Sequence, residues 1–440
     1  MTPIKEGAGP PHFRRPAAAP GAWRWREALP PAAAGLLARL LLIAWTSPLE
    51  LSLDEARFWD LATRRMHGTA FLPPLYPLYL AAVRSAVGDS VTVVRVIGAC
   101  VSLAGLLLVH RLAERRLGPR AAVVSAWVAA LAPTLVYYDG RIRSESLFIL
   151  LLLLSARLFP AAAAGRPAQS LGAGCLLGLA LLLRPEFLLL PFLLGAVAIG
   201  RGGSAALRGA APLCAGLLLV LAPWAARNRL VVGVWAPVST NGGYNFWKSF
   251  NDMTDGSQIP VADYSLWDGV DEREMDRVGY REGWRYVRAR PVRSVLLVPA
   301  KWAHLFGPER DFLSDVRRRR FPRRALWVDL GFGLAQNLSW LLILSLGLLA
   351  LIGPARDSCK DFTVAFLANL LLIHAVFFGD GRFHVPLIPL LCVALPEAWD
   401  GSRRPARRLA LLGLALILEV SCWAAILLRD RARIGSIWSP

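Results

Sequence analysis

Charge is what this chain has least of. Asp, Glu, Lys and Arg together make up 18% of its 440 residues, against about 25% in an ordinary soluble domain. Apolar residues make up 55%, in runs that recur from end to end, which excludes a single soluble domain and predicts an all-α polytopic membrane protein. The six cysteines (Cys100, Cys175, Cys214, Cys359, Cys392 and Cys422) sit mostly inside apolar runs, with no CxxC pair and no regular spacing. They read as small core residues, not as a disulfide frame or a zinc site. No GxxxxGK[ST] occurs and no glycine-rich strand-to-helix turn, so the phosphate cradle of a nucleotide-binding domain is missing. Internal repeats at solenoid or transporter periods are also absent, leaving an inverted-repeat transporter without support.

Acid is scarcer than base: 31 Asp and Glu face 50 Lys and Arg, a formal net charge of +19. The arginines flank apolar runs and do not line a soluble face, so lipid head groups and phosphate, not nucleic acid, are the expected anionic partners. Arg14, Arg15, Arg24 and Arg26 precede an apolar run over 31–45, but no small-x-small cleavage site follows; this is expected to be a retained first helix. Further spans are expected near 90–109, 121–138, 145–159, 171–183, 187–199 and 209–226, then near 326–352, 362–378, 385–395 and 409–428. That makes about eleven, several short of the ~20 residues a full crossing needs.

With eleven spans, the clusters Arg111/Arg115/Arg116/Arg120, Arg201/Arg208 and Arg403/Arg404/Arg407/Arg408 share one side with the N-terminus, which the positive-inside rule makes the cytoplasm of a plasma (inner) membrane protein. The expected organisation is a cytoplasmic tail (1–30), an N-terminal bundle (31–226) whose first outer loop is 46–89, an extracytoplasmic loop of short helices (227–325), C-terminal spans (326–428) and a short tail (429–440). One block resists this: Arg317 to Arg320, Arg323 and Arg324 ought to be cytoplasmic. A crossing at 292–306 would place them there but would send 379–384 inward too. That segment is short, broken by Pro299 and charged at Lys301, so an interfacial helix is the preferred reading.

The densest polar signal lies in the first outer loop, Ser52-Leu-Asp54-Glu55-Ala-Arg57-Phe-Trp59, followed by Pro73-Pro74-Leu-Tyr76-Pro77. Two adjacent carboxylates at a membrane edge are costly unless solvated or paired, so their position marks a site. Asp54 falls at a helix start, where backbone amides favour a carboxylate, and the prolines then force an extended bend. A capping Asp beside an interfacial aromatic belt would use the same residues. Taken with Leu183-Arg184-Pro185-Glu186, Pro223-Trp224-x-x-Arg227-Asn228, Asn241-Gly242-Gly243 and Arg382-Phe-His384-x-Pro386, the loop resembles the GT-C glycosyltransferases. More closely, the chain is similar to the protein O-mannosyltransferases and the bacterial aminoarabinose transferases that modify lipid A. The resemblance covers nearly the whole chain in one order, and it implies a GT-C bundle, a polyprenyl-phosphate sugar donor, a hydroxyl acceptor and an active site on the extracytoplasmic face.

Transfer from a lipid phosphate releases a stable anion, so such a site needs cations at the phosphate and a base at the acceptor, not a strong acid. The resemblance implies Asp54 as that base, with Glu55 positioning the acceptor or holding an arginine. The second acid is Asp139 or Glu145; Glu145 is preferred because a helix N-terminus can aim it into a cavity. Arg57, Arg141, Arg143, Arg184, Lys248, Lys301, Arg382 and His384 are the candidates for the donor phosphate. Tyr76, Asn241, Tyr244 and Trp247 are the candidates for sugar or acceptor recognition, with glycines allowing close backbone approach and aromatics giving platforms. No cofactor is expected. Asp54, Glu55 and Glu145 could share a divalent cation, but no DxD-like or His-rich cluster calls for a metal. A transporter or flippase of a lipid-linked or small anionic solute is the alternative function.

Overall fold

The computed structural model describes residues 23–258, 270–322, 325–352 and 357–399, and scattered positions between 410 and 424. The tail 429–440, half of the expected last span, Arg14, Arg15, Arg323, Arg324, Cys422 and the cluster Arg403/Arg404/Arg407/Arg408 fall outside the described residues. Among those described, no strand forms; an isolated bridge joins Ser257 to Gly379. The protein is an all-α polytopic membrane protein. Among the described residues six helices are long and apolar enough to cross a bilayer, or seven if one bent pair counts as a span.

In chain order the N-terminal bundle comprises α1 (Leu29–Trp45), α2 (Leu53–Thr63), α3 (Leu75–Val87), α4 (Val91–Leu117), α5 (Pro119–Leu131), α6 (Pro133–Asp139), α7 (Glu145–Ala163), α8 (Pro167–Leu183), α9 (Leu190–Gly202) and α10 (Ser204–Val231). Prolines open α5, α6 and α8, where the missing N–H is not needed. The expected span at 121–138 is broken in two. Pro133 cannot donate back into α5, and α6 leaves at 57°. This bend turns Tyr137, Tyr138 and the Arg141–Arg143 connection inward.

The short helices α11 (Gly242–Ser249), α12 (Glu272–Ala289), α13 (Pro291–Leu305) and α14 (Asp311–Arg317) follow, and then α15 (Leu326–Ile352), α16 (Ser358–Val376) and α17 (Leu387–Ala394). At 15 residues α13 reaches about 22 Å, too short to cross a ~30 Å hydrocarbon core. Its Val292, Val295 and Leu296 are exposed while Lys301 and His304 are buried, so the helix has one apolar outer face and one polar inner face.

Helices α8 and α10 meet backbone to backbone at glycines. A Cβ on Gly174 would lie 2.1 Å from the Leu213 carbonyl oxygen, and one on Gly216 would lie 2.3 Å from that of Leu171. Small residues at such a contact let backbones meet where lipid supplies no hydrophobic drive. This pairing holds the C-terminal end of α8, and with it Arg184, against the bundle. Gly174→Leu is therefore expected to destabilise the protein by about 1–3 kcal/mol through overpacking, whereas Gly195→Ala, which meets open space, is neutral. Thermal unfolding in detergent distinguishes the two.

Candidate active site

Helix α2 starts with a capping box. Ser52 accepts from the Glu55 backbone N–H, and the Glu55 carboxylate accepts from the Ser52 N–H at 2.8 Å. Consecutive helical residues point about 100° apart, so Asp54 and Glu55 part company at once. Glu55 turns into the protein and is 0% exposed. Asp54 turns outward, its side chain 41% exposed, into a cavity of about 440 Å³.

Arg57, Arg143, Glu145, Arg184, Asn241, Tyr244, Lys248 and Arg382 line that cavity with Asp54. Their elements come from all over the chain: α2, the α6–α7 connection, the end of α8, α11, and the 3-10 turn Gly381–Phe383 between α16 and α17. Arg382 donates to Asp54 at 2.8 Å, so Gly379–His384 lies at the same end of the bundle as the first loop. Arg184 pairs with Glu145 at 3.0 Å and with Glu186 at 2.6 Å. Arg143 pairs with Asp311 at 2.9 Å. Lys248 differs from these: its ammonium rests over the Tyr244 and Phe378 rings at 5.2 and 5.3 Å. Burial, with Arg382 nearby adding to it, brings its pKa down to about 8.

Burial alone would raise the Asp54 carboxyl. The Arg382 guanidinium, with Arg143 and Arg57 behind it, outweighs that and holds Asp54 below the ordinary carboxylate value. Arg382 is correspondingly raised, Asp54 and Asp380 overcoming the cost of its burial. Five cations and three carboxylates (Asp54, Glu145, Glu186) line the cavity, so its wall is formally positive and suits an anion.

Other expected site residues lie elsewhere. Glu55 is behind the wall, bonded by Arg141 and by the Ile142 N–H. Arg141 is not open for phosphate, because Glu55 and Asp315 use its guanidinium. Lys301 donates to the Val376 carbonyl at 2.6 Å and covers the Phe250 ring, holding the end of α16. His384 spans the Leu305 carbonyl and the Glu309 carboxylate while stacked 3.8 Å from Trp340. Both are polar side chains of the interior, outside the cavity. Tyr76 packs edge-on against Phe58, and Trp247 packs with Tyr244 and Val278. Asp139 accepts from Arg39 at 2.7 Å and from Ser146, deep in the bundle. Between the two open alternatives, the cavity therefore contains Glu145 and not Asp139.

Glu186 was read only as part of the Leu183–Glu186 motif, and two acids escaped sequence reasoning altogether: Asp311 and Asp315. The last two sit four residues apart on α14, directly before the arginine block, and that i, i+4 acidic spacing was the available signal. No group of three or more His, Cys, Asp or Glu arranged to hold a metal occurs among the described residues.

These features define a class: a multi-pass, all-helical membrane protein with an ionised, formally cationic cavity at one end of its bundle. The chain resembles the GT-C membrane glycosyltransferases. The model of the dolichyl-phosphate-mannose-protein mannosyltransferase family matches residues 72–226, a stretch that contains Glu145 and Arg184 but neither Asp54 nor Arg382. No curated protein matches the sequence. Among solved structures, the oligosaccharyltransferase AglB of Archaeoglobus fulgidus, in complex with an inhibitory peptide and a dolichol-phosphate, is 14% identical with a TM-score of 0.46 over 90% of this chain and 55% of its own. ArnT from Cupriavidus metallidurans, bound to undecaprenyl phosphate, is 15% identical with a TM-score of 0.44 over 90% of this chain and 78% of its own. The chain thus spans about half the length of the first of these.

The Glu55–Arg141 pair has measurable consequences. Arg141→Ala would strand two buried carboxylates and is expected to cost about 3–5 kcal/mol. Burial raises the Glu55 carboxyl but Arg141 more than reverses this, lowering it from 4.5 to about 2. A carboxyl depressed in the folded state contributes stability above its unfolded pKa and loses it as pH falls through the folded one. The stability gap between the parent and Glu55→Gln should accordingly narrow from pH 4.5 down to about 2, followed by thermal melting; a gap constant over that window would contradict the pairing.

Proposed function

We propose that this protein is a metal-independent inverting glycosyltransferase that moves a sugar from a polyprenyl phosphate to a hydroxyl of a lipid, glycan or protein, at the extracytoplasmic face of the membrane. The observation that carries the reading is the Asp54–Arg382 contact in a cavity whose charged lining is formally positive. A base and an anion site stand side by side there, which is what displacement at a sugar phosphate requires. The family similarity over 72–226 supports a lipid-phosphate donor.

In this reaction the Asp54 carboxylate accepts the acceptor hydroxyl proton while the hydroxyl oxygen bonds to the anomeric carbon. The bond from that carbon to the phosphate oxygen breaks, and the electron pair leaves with polyprenyl phosphate. Arg382 and Lys248 stabilise the departing anion, with Arg57, Arg143 and Arg184 adding field. Glu145 keeps Arg184 oriented. Asn241 and Tyr244 face the same cavity from the glycine-opened start of α11, where they can contact the sugar or the acceptor. Glu55, bonded at both oxygens inside the protein, holds α2 and does not touch substrate.

Without ligand Arg382 is shared with the base. A donor phosphate competes for that guanidinium and so raises the Asp54 pKa towards its ordinary range. The acidic limb of kcat, which reports the bound enzyme, should then lie at higher pH than that of kcat/KM, which reports the free enzyme. Asp54→Asn should lower kcat by about 10²–10⁴-fold, and Lys248→Met should raise the donor KM. Transfer from a radiolabelled polyprenyl-phosphate sugar in reconstituted membranes measures all three; undiminished transfer by Asp54→Asn would remove Asp54 as the base.

A further inference from the structure

Helix α14 makes no wall of the cavity, yet its two acids are tied to the two arginines of the α6–α7 connection. Asp315 accepts from Arg141 at 2.5 Å and from the Tyr137 hydroxyl at 2.5 Å. Asp311 accepts from Arg143 at 2.9 Å and from the Tyr138 hydroxyl at 3.1 Å. A four-residue spacing puts both acids on one face of a helix, and that face meets consecutive tyrosines and alternate arginines turned inward by the α5–α6 bend.

The two ion pairs lead to different places. Arg143 lines the cavity, so Asp311 acts directly behind a cation of the phosphate wall. Arg141 does not; it passes to Glu55, whose carboxylate also takes the Ser52 and Ile142 N–H groups and so sets the first turn of α2. Asp54 is one residue before Glu55. The segment after α14 reaches the same place by backbone, the Glu50 N–H donating to the Arg320 carbonyl at 3.0 Å.

We propose that Asp311 and Asp315 are positioning residues for the reaction: Asp315 places the base Asp54 through Arg141, Glu55 and the α2 cap, and Asp311 places the donor-phosphate ligand Arg143. This rests on the transfer reading above. It divides α14 into one residue that governs turnover and one that governs donor affinity, a division that mere structural support would not produce.

The test uses the full chain in nanodiscs with a radiolabelled polyprenyl-phosphate sugar, and thermal melting to count folded protein. Asp315→Asn is expected to reduce kcat by about 10²-fold with donor KM within twofold, since displacing a reacting group by an ångström costs about that much; Asp315→Glu should recover part of it. Asp311→Asn is expected to raise donor KM about tenfold with kcat within threefold. Should the Asn variants not fold, Tyr137→Phe and Tyr138→Phe each delete one hydrogen bond to the same acids and should show the same split, severalfold in kcat and severalfold in KM respectively. Parent-like kinetics in either pair, or equal losses of kcat in both members with no KM split, would overturn the proposal. A parent inactive with every donor tried would instead count against the transfer reading. Binding of undecaprenyl phosphate would then still decide the donor half, weakened by Asp311→Asn and unchanged by Asp315→Asn, the reverse or no difference overturning it.

Discussion

The Arg141 guanidinium is the interaction on which the rest of this site depends. It is 1% exposed and lies between two carboxylates of remote origin, Glu55 from the first loop and Asp315 from α14. A buried charge with one partner removed is far more costly than either pair is worth, so the three groups must assemble together or not at all. That requirement couples the N-terminal loop, the bent α5–α6 span and the segment preceding α15. Apolar packing drives helices together with little sidedness in a bilayer, where lipid-facing and core residues are chemically alike, so a buried ion pair adds directional constraint.

From this anchor the division of labour between adjacent acids is a matter of helix geometry. Glu55 is used up by the capping box and by Arg141, which fixes the rotation of α2. Asp54, one position earlier, then has nowhere to point but the cavity. Its electrostatic surroundings follow from the same folding event: Arg382 arrives from a turn more than three hundred residues away and makes the contact that lowers the Asp54 pKa. Asp54 is thus held ionised by a guanidinium that the fold, not the local sequence, supplies. Asp54 and Arg382 offset each other's charge, which lowers the cost of holding either in a partly desolvated place.

Much of the helical layout was legible in the sequence because a bilayer leaves so few options: apolar runs must be helices, and their lengths are readable. Leu326–Ile352 and Ser358–Val376 appear as helices where apolar runs predict them. The break at Pro133 was not read, since a proline within a run is equally compatible with a kinked continuous helix. The site was legible where a residue had no structural use at its own location, as with Asp54, Arg184 and Arg382. It was illegible where the use came from a distant partner. Lys301 and His384 carry the residue types of a phosphate site, but their hydrogen bonds go to carbonyls and to Glu309, partners that only the fold supplies. Asp311 and Asp315 look like surface acids next to an arginine block for the same reason.

The arginine block itself shows how a charge rule and a structure divide the work. A count of basic residues treats Arg317 to Arg320 as one cytoplasmic signal, yet Arg320 belongs to the interior through Asp315 while Arg317, Arg318 and Arg319 stay exposed. A residue already committed to a buried carboxylate contributes little free charge to a membrane surface, so the block is weaker as a topological signal than its composition indicates. Through Arg141 and Glu55 the same Asp315 ties α14 to the start of α2, which carries Asp54. Arg320 is therefore held by its ion pair with Asp315 and by the bond its carbonyl accepts from the Glu50 N–H, close to the start of α2.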